Sequence, residues 1–385
     1  MNPLSNILSL GLKDKESRGL LHTPTEIAQQ PKTWWNTWAL FQQHRKDLES
    51  FLCAAYQDHR TIFLIGAGTS DYIGHAIAPL LRHQWNCEVI VAASTDLLIS
   101  SEDFILMDRK YLWISFSRSG DSPEGVAVLE LALSSFPNVI HLVVTCNSRG
   151  RMLELATGSA NAYAILLDDA VNDRSLAMTS SFTNMVLFGQ ALATLWNNND
   201  FETVLTPMTH AAEFLLDDGA YLAEELARSN FRRTCFVGSG VLVATARESA
   251  LKLLELTGGR VQTMSESTLG LRHGPMSALN LQTVFTSFVS TGAKRRRYDS
   301  DLLNEIRAKQ TVDTIVSVGR PVVLADHSLF SDAFCEIPDS NRPPVDVIFG
   351  QLFGLFASIE CGCKPDAPSP DGIISRVVQK FNIYL

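Results

Sequence analysis

The residues best able to do chemistry fall in three short stretches. Ile114–Pro123 reads ISFSRSGDSP, an apolar strand that ends in hydroxyls and a glycine just before a helix. Such a terminus offers backbone N–H groups, the hydroxyls of Ser117, Ser119 and Ser122 and a helix dipole to an anion, so a phosphate is the natural guest. The same serines would equally cap the helix and shape its turn. In Arg247–Glu255, RESALKLLE, the residues Glu248, Lys252 and Glu255 stand at offsets of four and three, which places all three on one face of a helix. A Glu followed four residues later by a Lys is common on solvated helices. Here the helix follows a Gly-rich turn directly, and its other positions are apolar, as in a helix packed on a sheet. His273, in LRHGP at Leu271–Pro275, stands in a stretch rich in glycine and small residues. It is placed either as a loop acid or base or as a group that bonds its own loop.

The elements around these stretches alternate. Arg60–Ile65, Glu88–Ala92, Tyr111–Phe116, His141–Cys146 and Tyr163–Leu167 read as strands, with helices over Ser70–His83, Ser122–Ser135 and about 178–196. Short apolar runs alternating with helix-length segments indicate a parallel α/β sheet. After an amphipathic stretch, Thr203–Arg228, the order begins again. Thr234–Val237 is a strand, Val241–Leu256 a helix, and strands follow at Val284–Val289 and Thr314–Val318, with Val322 and Val323 opening another candidate. The paired landmarks of this duplication are IGAGTS at Ile65–Ser70 and VGSGVL at Val237–Leu242, each a strand breaking into a Gly-rich turn that opens a helix. Neither completes G-x-G-x-x-G, and no acidic residue follows at the distance of a ribose contact, so a nicotinamide cofactor is not expected. Gly66 and Gly68 serve either a tight turn or a ligand contact. The division between halves is expected at Asn197–Asp200, NNND, giving an extended, proline-containing lead-in followed by a short helix over residues 1–45, a first domain over 46–200 and a second over 201–385. The segment Cys361–Gly372, rich in proline and glycine, is expected to cross the surface before a short final piece, Ile373–Gln379.

Composition narrows the function classes. A chain of 385 residues, 46% of them hydrophobic, has material for two cores, and a net charge of −9 argues against a polyanion binder, which needs a basic surface. The one notable basic run, AKRRRY around Lys294–Arg297, reads as a solvated segment or as a neutralising face for a substrate or acidic partner. Seven scattered cysteines fit reduced thiols and a cytoplasmic setting, and Cys361 and Cys363 lack the second pair of a zinc site. Neither a secretory leader nor an apolar run of membrane-spanning length is read in the sequence.

GTS at Gly68, Thr69 and Ser70, SRSGDSPE at Ser117–Glu124, the RESALKLLE helix and RHGP at Arg272–Pro275 together resemble the sugar isomerase (SIS) domain family in its tandem form. The lead-in TPTEIAQQPKTWW, MTSSF at Met178–Phe182 and SRVVQ at Ser375–Gln379 are similar to the amino-sugar-phosphate deaminase branch, and most to the galactosamine-6-phosphate deaminase/isomerases of N-acetylgalactosamine catabolism. The resemblance implies two tandem domains, each a mostly parallel five-stranded sheet in a flavodoxin-like three-layer sandwich. It implies phosphate binding by the first half, through Gly68, Thr69, Ser70, Ser117, Ser119 and Ser122 with the backbone around Arg118 and Gly120. Proton chemistry is implied for the second half. Glu255 falls on the base that moves a proton between C2 and C1 of an open-chain sugar, His273 on the group that assists ring opening, and Lys252 and Glu248 on positions that orient the sugar or balance charge. Ser180, Ser181 and Lys380 are further candidate substrate contacts.

The sequence departs from the family pattern in two places. Arg118 stands where relatives often carry glutamine, either to strengthen phosphate binding or to point outward and pair with an acid. Gly270 replaces a carboxylate of the synthase branch. The implied protein is a homodimer with a shared active site, acting on a phosphorylated amino sugar without metal or redox cofactor, nucleic acid or membrane. The short lead-in leaves no room for a glutaminase domain, which sets the synthase aside. A plain hexose-6-phosphate ketose/aldose isomerase and a glucosamine-6-phosphate deaminase are the alternatives, with a non-catalytic sugar-phosphate sensor behind them.

Overall fold

A computed structural model describes residues 2–197, 200–369 and 372–384. Ten strands form two parallel sheets of five. The first contains β1 (Thr61–Gly66), β2 (Val89–Ala93), β3 (Tyr111–Ser117), β4 (Val139–Thr145) and β5 (Ala162–Leu166) in the order β2-β1-β3-β4-β5. The second contains β6 (Arg233–Gly238), β7 (Gln262–Ser267), β8 (Thr283–Phe288), β9 (Thr314–Val318) and β10 (His327–Leu329) in the order β10-β9-β8-β6-β7. Read from the other edge, the second order is the first repeated. The expected duplication of five-stranded parallel domains is therefore what the chain folds into.

Helices on both faces explain the sequence of the central strands. A parallel strand covered on both sides carries apolar residues continuously rather than alternately. Accordingly every residue of β3 is buried, as is every residue of β8. Phe63, Trp113 and Val128 help fill the core of the first sheet, and Phe285, Leu302 and Ile315 that of the second. In each sheet the chain leaves the first strand toward one edge and the third toward the other. The turns that follow β1 and β3, and those that follow β6 and β8, thus flank the crevice where open α/β sheets bind ligands.

Two compact units interleave the chain. One comprises Met1–Lys32, Arg174–Thr179 and Glu202–Ile374 and holds the second sheet; the other comprises Thr33–Asp173, Ser180–Phe201 and Ser375–Leu385 and holds the first. The expected spans 1–45, 46–200 and 201–385 are simple stretches of sequence, whereas these units exchange segments. The tail from Ser375, expected with the second domain, belongs to the unit of the first sheet. Asn198 and Asn199 of the expected divide lie outside the described residues, as do Pro370 and Asp371 of the Pro/Gly-rich segment.

Several elements differ from the sequence reading. The lead-in is helical, with Pro3–Leu8, Leu12–Arg18 and Thr23–Ala28 followed by one helix of 28 residues, Gln30–Gln57. The basic run opens a helix, Ala293–Lys309. Val322 and Val323 open no strand, Val323 being almost wholly exposed, and the fifth strand comes later as β10. The helix Pro343–Glu360, unmarked in the sequence reading, is the principal cover of the Leu242–Leu256 helix. Its Gly350 and Gly354 permit that approach, since a Cβ on Gly350 would stand 2.3 Å from the Ser249 hydroxyl and one on Gly354 2.8 Å from Leu256.

Candidate active site

The turn after β1 is built for close approach. A Cβ on Gly66 would fall 2.3 Å from the backbone of Ser70, and Gly68 has a φ of +57°, so both positions require glycine. The Ser70 N–H donates to the Ala67 carbonyl at 3.0 Å, which winds the turn into the helix Thr69–Trp85. Thr69 and Ser70 are both buried at its start.

The turn after β3 is tied from within. The Gly120 N–H donates to the Ser117 hydroxyl at 3.1 Å and the Asp121 N–H to the Ser119 hydroxyl at 3.2 Å. The Asn147 amide holds the Ser119 carbonyl at 2.7 Å. Gly120, at φ +63°, packs where a Cβ would come 3.1 Å from the Thr145 hydroxyl. The helix Pro123–Ser135 begins after Ser122, whose backbone is extended and whose side chain makes no capping hydrogen bond. The reading in which these serines merely cap the helix therefore fails at Ser122. Ser117 and Ser119 accept bonds from the turn, and each keeps its own hydroxyl proton to donate. Gly68, Thr69, Ser70 and Ser117–Ser122 lie in the same unit, beside the switch point of one sheet.

Arg118 is 6% exposed, and its guanidinium donates to the Arg376 carbonyl at 2.7 Å. Among the described contacts it thus fastens the tail to the cradle, a role neither alternative foresaw. Arg376 in turn donates to the Asp173 carbonyl at 2.6 Å and the Asn172 side chain at 2.5 Å. Ser180 and Ser181, expected as substrate contacts, are wholly buried. Their hydroxyls donate to the Asp173 carboxylate at 2.6 and 2.5 Å, and both N–H groups point to it too, so Asp173 seats the start of the helix Ser180–Ala193. Arg376 had no spacing signal, because its partners come from distant parts of the chain, and Asp173 had none because the loop between it and Ser180 follows no helical or strand period. Lys380 lines an open cavity of about 550 Å³ together with Asp121, Pro123, Arg151 and Phe381.

The charged trio lies in the other unit. On the helix Leu242–Leu256, Lys252 Nζ stands 2.6 Å from Glu255 and 3.2 Å from Glu248. Lys252 and Glu248 are completely buried, while the Glu255 side chain keeps 27% of its surface. The solvated-face reading is thereby excluded for the pair at offset four. Burial opposes the charge on Lys252, but Glu248 and Glu255 outweigh it and hold its pKa above the ordinary lysine value. The trio is a buried charge relay whose one accessible end is the carboxylate of Glu255.

His273 follows a single turn, Gly270–Arg272, and is exposed. Arg272 beside it is anchored to Glu305 at 2.6 Å, whereas the His273 ring has no hydrogen-bond partner among the described residues. The place that a Gly270 side chain would occupy is filled: its Cβ would come 2.7 Å from a carboxylate oxygen of Glu266, at the end of β7. A carboxylate does stand at this point, supplied by the strand rather than by the loop.

The SIS domain family matches residues 55–195, which contain the whole first sheet. The chain is 35% identical to the D-galactosamine-6-phosphate deaminase AgaS of Escherichia coli over 94% of its length and 95% of that protein. It is 31% identical to the protein of the same name from Shewanella sp., over 99% of this chain and 96% of that one. Among solved structures, a tagatose-6-phosphate ketose/aldose isomerase from Escherichia coli superposes with a TM-score of 0.82 at 33% identity, covering 90% of this chain and 95% of its own.

Proposed function

This chain belongs to the SIS-domain family of the AgaS D-galactosamine-6-phosphate deaminases, and from that premise we propose that it converts D-galactosamine 6-phosphate and water to D-tagatose 6-phosphate and ammonium. The observation that carries this reading is the relay itself, with Glu255 as its accessible end and two completely buried charges behind it. A base that must take a proton next to a carbonyl needs a fixed position, and the ion pair with Lys252 at 2.6 Å supplies it.

The roles follow from the chemistry. Ser70, Ser117, Ser119 and Ser122, with the backbone of Gly68, Thr69 and Gly120, hold the phosphate, the inert end that keeps the open chain in register. His273 moves the ring-oxygen proton during opening. The Glu255 carboxylate removes the proton from C2 of the aldehyde form and returns it to C1, while O1 gains a proton and the C2 amine gives one up, leaving an imine at C2 and a CH₂OH at C1. Water adds to C2, the nitrogen leaves as ammonia, and the product is the ketose, which closes to its furanose form. Lys252 and Glu248 hold Glu255 in place and balance its charge.

Because the His273 side chain is exposed and its ring meets no hydrogen-bond partner among the described residues, we assign it to the active site of a neighbouring subunit in a homodimer. The seven free thiols support a cytosolic setting. The decisive assay is ammonium release with Glu255→Gln. Turnover should fall by about 10³-fold with substrate affinity preserved, and a fully active variant removes the assignment. The second reading, an aldose–ketose isomerase, draws on the likeness to the tagatose-6-phosphate ketose/aldose isomerase of Escherichia coli. Conversion of an unaminated hexose 6-phosphate without ammonium release from the amino sugar would favour it.

A further inference from the structure

Each strand of the second sheet has a counterpart in the first, with β6 and β8 in the places of β1 and β3. The counterpart of the Ser117–Gly120 turn is therefore Ser290, Thr291 and Gly292, again hydroxyls and a glycine ahead of a long helix, Ala293–Lys309. The contents of the two turns differ. In the second, the carboxylate of Asp339 occupies the concavity. One oxygen accepts the Thr291 N–H and the Thr291 hydroxyl, both at 2.8 Å; the other accepts the Ser290 hydroxyl and the Arg295 guanidinium, the latter at 3.1 Å. The Arg342 guanidinium stands 3.8 Å away.

Beside it, Asp299 accepts the Ser290 N–H at 2.9 Å and the hydroxyls of Ser239 and Thr268 at 2.5 and 2.7 Å. Arg295 also crosses the glycine turn after β6, where a Cβ on Gly240 would come within 3.3 Å of it. In the first half, by contrast, the hydroxyls of Ser117, Ser119 and Ser122 meet no carboxylate among the described residues.

Ordinary capping does not account for Asp339. A capping carboxylate comes from the first residues of its own helix, whereas Asp339 is brought in from a turn 48 residues beyond Thr291. One backbone N–H, two hydroxyls and a guanidinium converging on an anion are the donors of a phosphate site. Burial pushes the Asp339 carboxyl upward, but the bonds from Ser290 and Thr291 and the nearby Arg342 outweigh it and hold it below the ordinary carboxylate value.

We propose that the second half retains an anion cradle at the switch point of its sheet and that Asp339 fills it as an internal stand-in for a phosphate monoester. The chain is then left with one open cradle, and removal of this carboxylate opens a second. The inference rests on reading the first cradle as a phosphate site. The test is calorimetric titration of the full protein and of Asp339→Ala with inorganic phosphate at constant ionic strength. Expected are one site per chain in the parent and two in the variant, the second lost again in Asp339→Ala/Thr291→Val. A folded variant that still shows the parent's stoichiometry overturns the proposal. A parent that binds neither phosphate nor the sugar phosphate overturns the reading of the first cradle instead, a distinguishable result. Should Asp339→Ala not fold in chloride, refolding is compared in phosphate and chloride. Recovery in phosphate alone supports the proposal, and equal failure in both counts against it.

Discussion

The two sheets carry the same strand order, yet the buried charges packed around them are arranged differently. The buried polar residues on the strands of the first sheet are the hydroxyls Ser115, Ser117 and Thr145 and, on β4, His141, a neutral ring with neither nitrogen hydrogen-bonded among the described residues, packed edge-on against Trp113 at 5.6 Å. The second half buries charge, and buries it in matched sets: Lys252 with Glu248 and Glu255, Arg342 with Asp346 at 2.6 Å, and Asp339 with Ser290, Thr291 and Arg295. The lesson is a division of labour after duplication. On the proposed roles, the first half grips its ligand with hydroxyls and N–H groups beside the buried Arg118, while moving protons demands ionised groups, and those need partners once they leave water.

The sharpest way to break this comparison is Glu255→Gln. If the halves divide as described, kcat falls by about 10³-fold while the affinity for the sugar phosphate stays as it was; a loss of affinity alone would merge the two roles. Next in size is Lys252→Met, which strands the buried Glu248 carboxylate and should cost about 3 kcal/mol of stability. Urea unfolding measures it, and an unchanged midpoint would mean that the carboxylates do not depend on the lysine.

The first half has its own liability. Burial lowers the pKa of His141 from 6.5 to about 4. The unfolded chain therefore binds the extra proton between those values, so stability is complete above about pH 6.5 and is lost as pH falls toward 4, by roughly 3 kcal/mol at most. His141→Phe should flatten this acid limb, and an identical pH profile in the variant would exonerate the histidine. The smallest effect is expected from Ser122→Ala, whose hydroxyl caps nothing. A rise of about tenfold in KM with kcat and stability retained corresponds to one charge-assisted hydrogen bond. A drop in stability instead would return Ser122 to a structural role.

How much of this was legible in the sequence depended on whether the signal was local. The first cradle was readable because its strand, hydroxyls, glycine and helix are consecutive, and the charged trio because one helix face carries it. Strand β7, QTMSES, escaped because it lies at a sheet edge with only partial burial and no apolar run to mark it. The helix Pro343–Glu360 escaped for the opposite reason. All but its last two residues are buried, so no polar face gives it a helical period. The lead-in looked extended from its prolines, yet Pro24 sits in the first turn of a helix, where the missing N–H costs nothing. Asp339 acts across 48 residues and Asp173 across an irregular loop, and no spacing rule covers either, so the hydroxyls they occupy look the same in sequence as hydroxyls left open.

The bond from Arg118 to the Arg376 carbonyl bears on how the protein is handled at the bench. It ties the cradle to the last residues of the sequence, and Lys380, Phe381 and Ile383 continue from it along a cavity bordered by Asp121 and Pro123. A purification tag or fluorescent fusion joined behind that tail would pull on the Ser117–Ser122 turn. Tags for kinetic work on this protein belong at the other terminus.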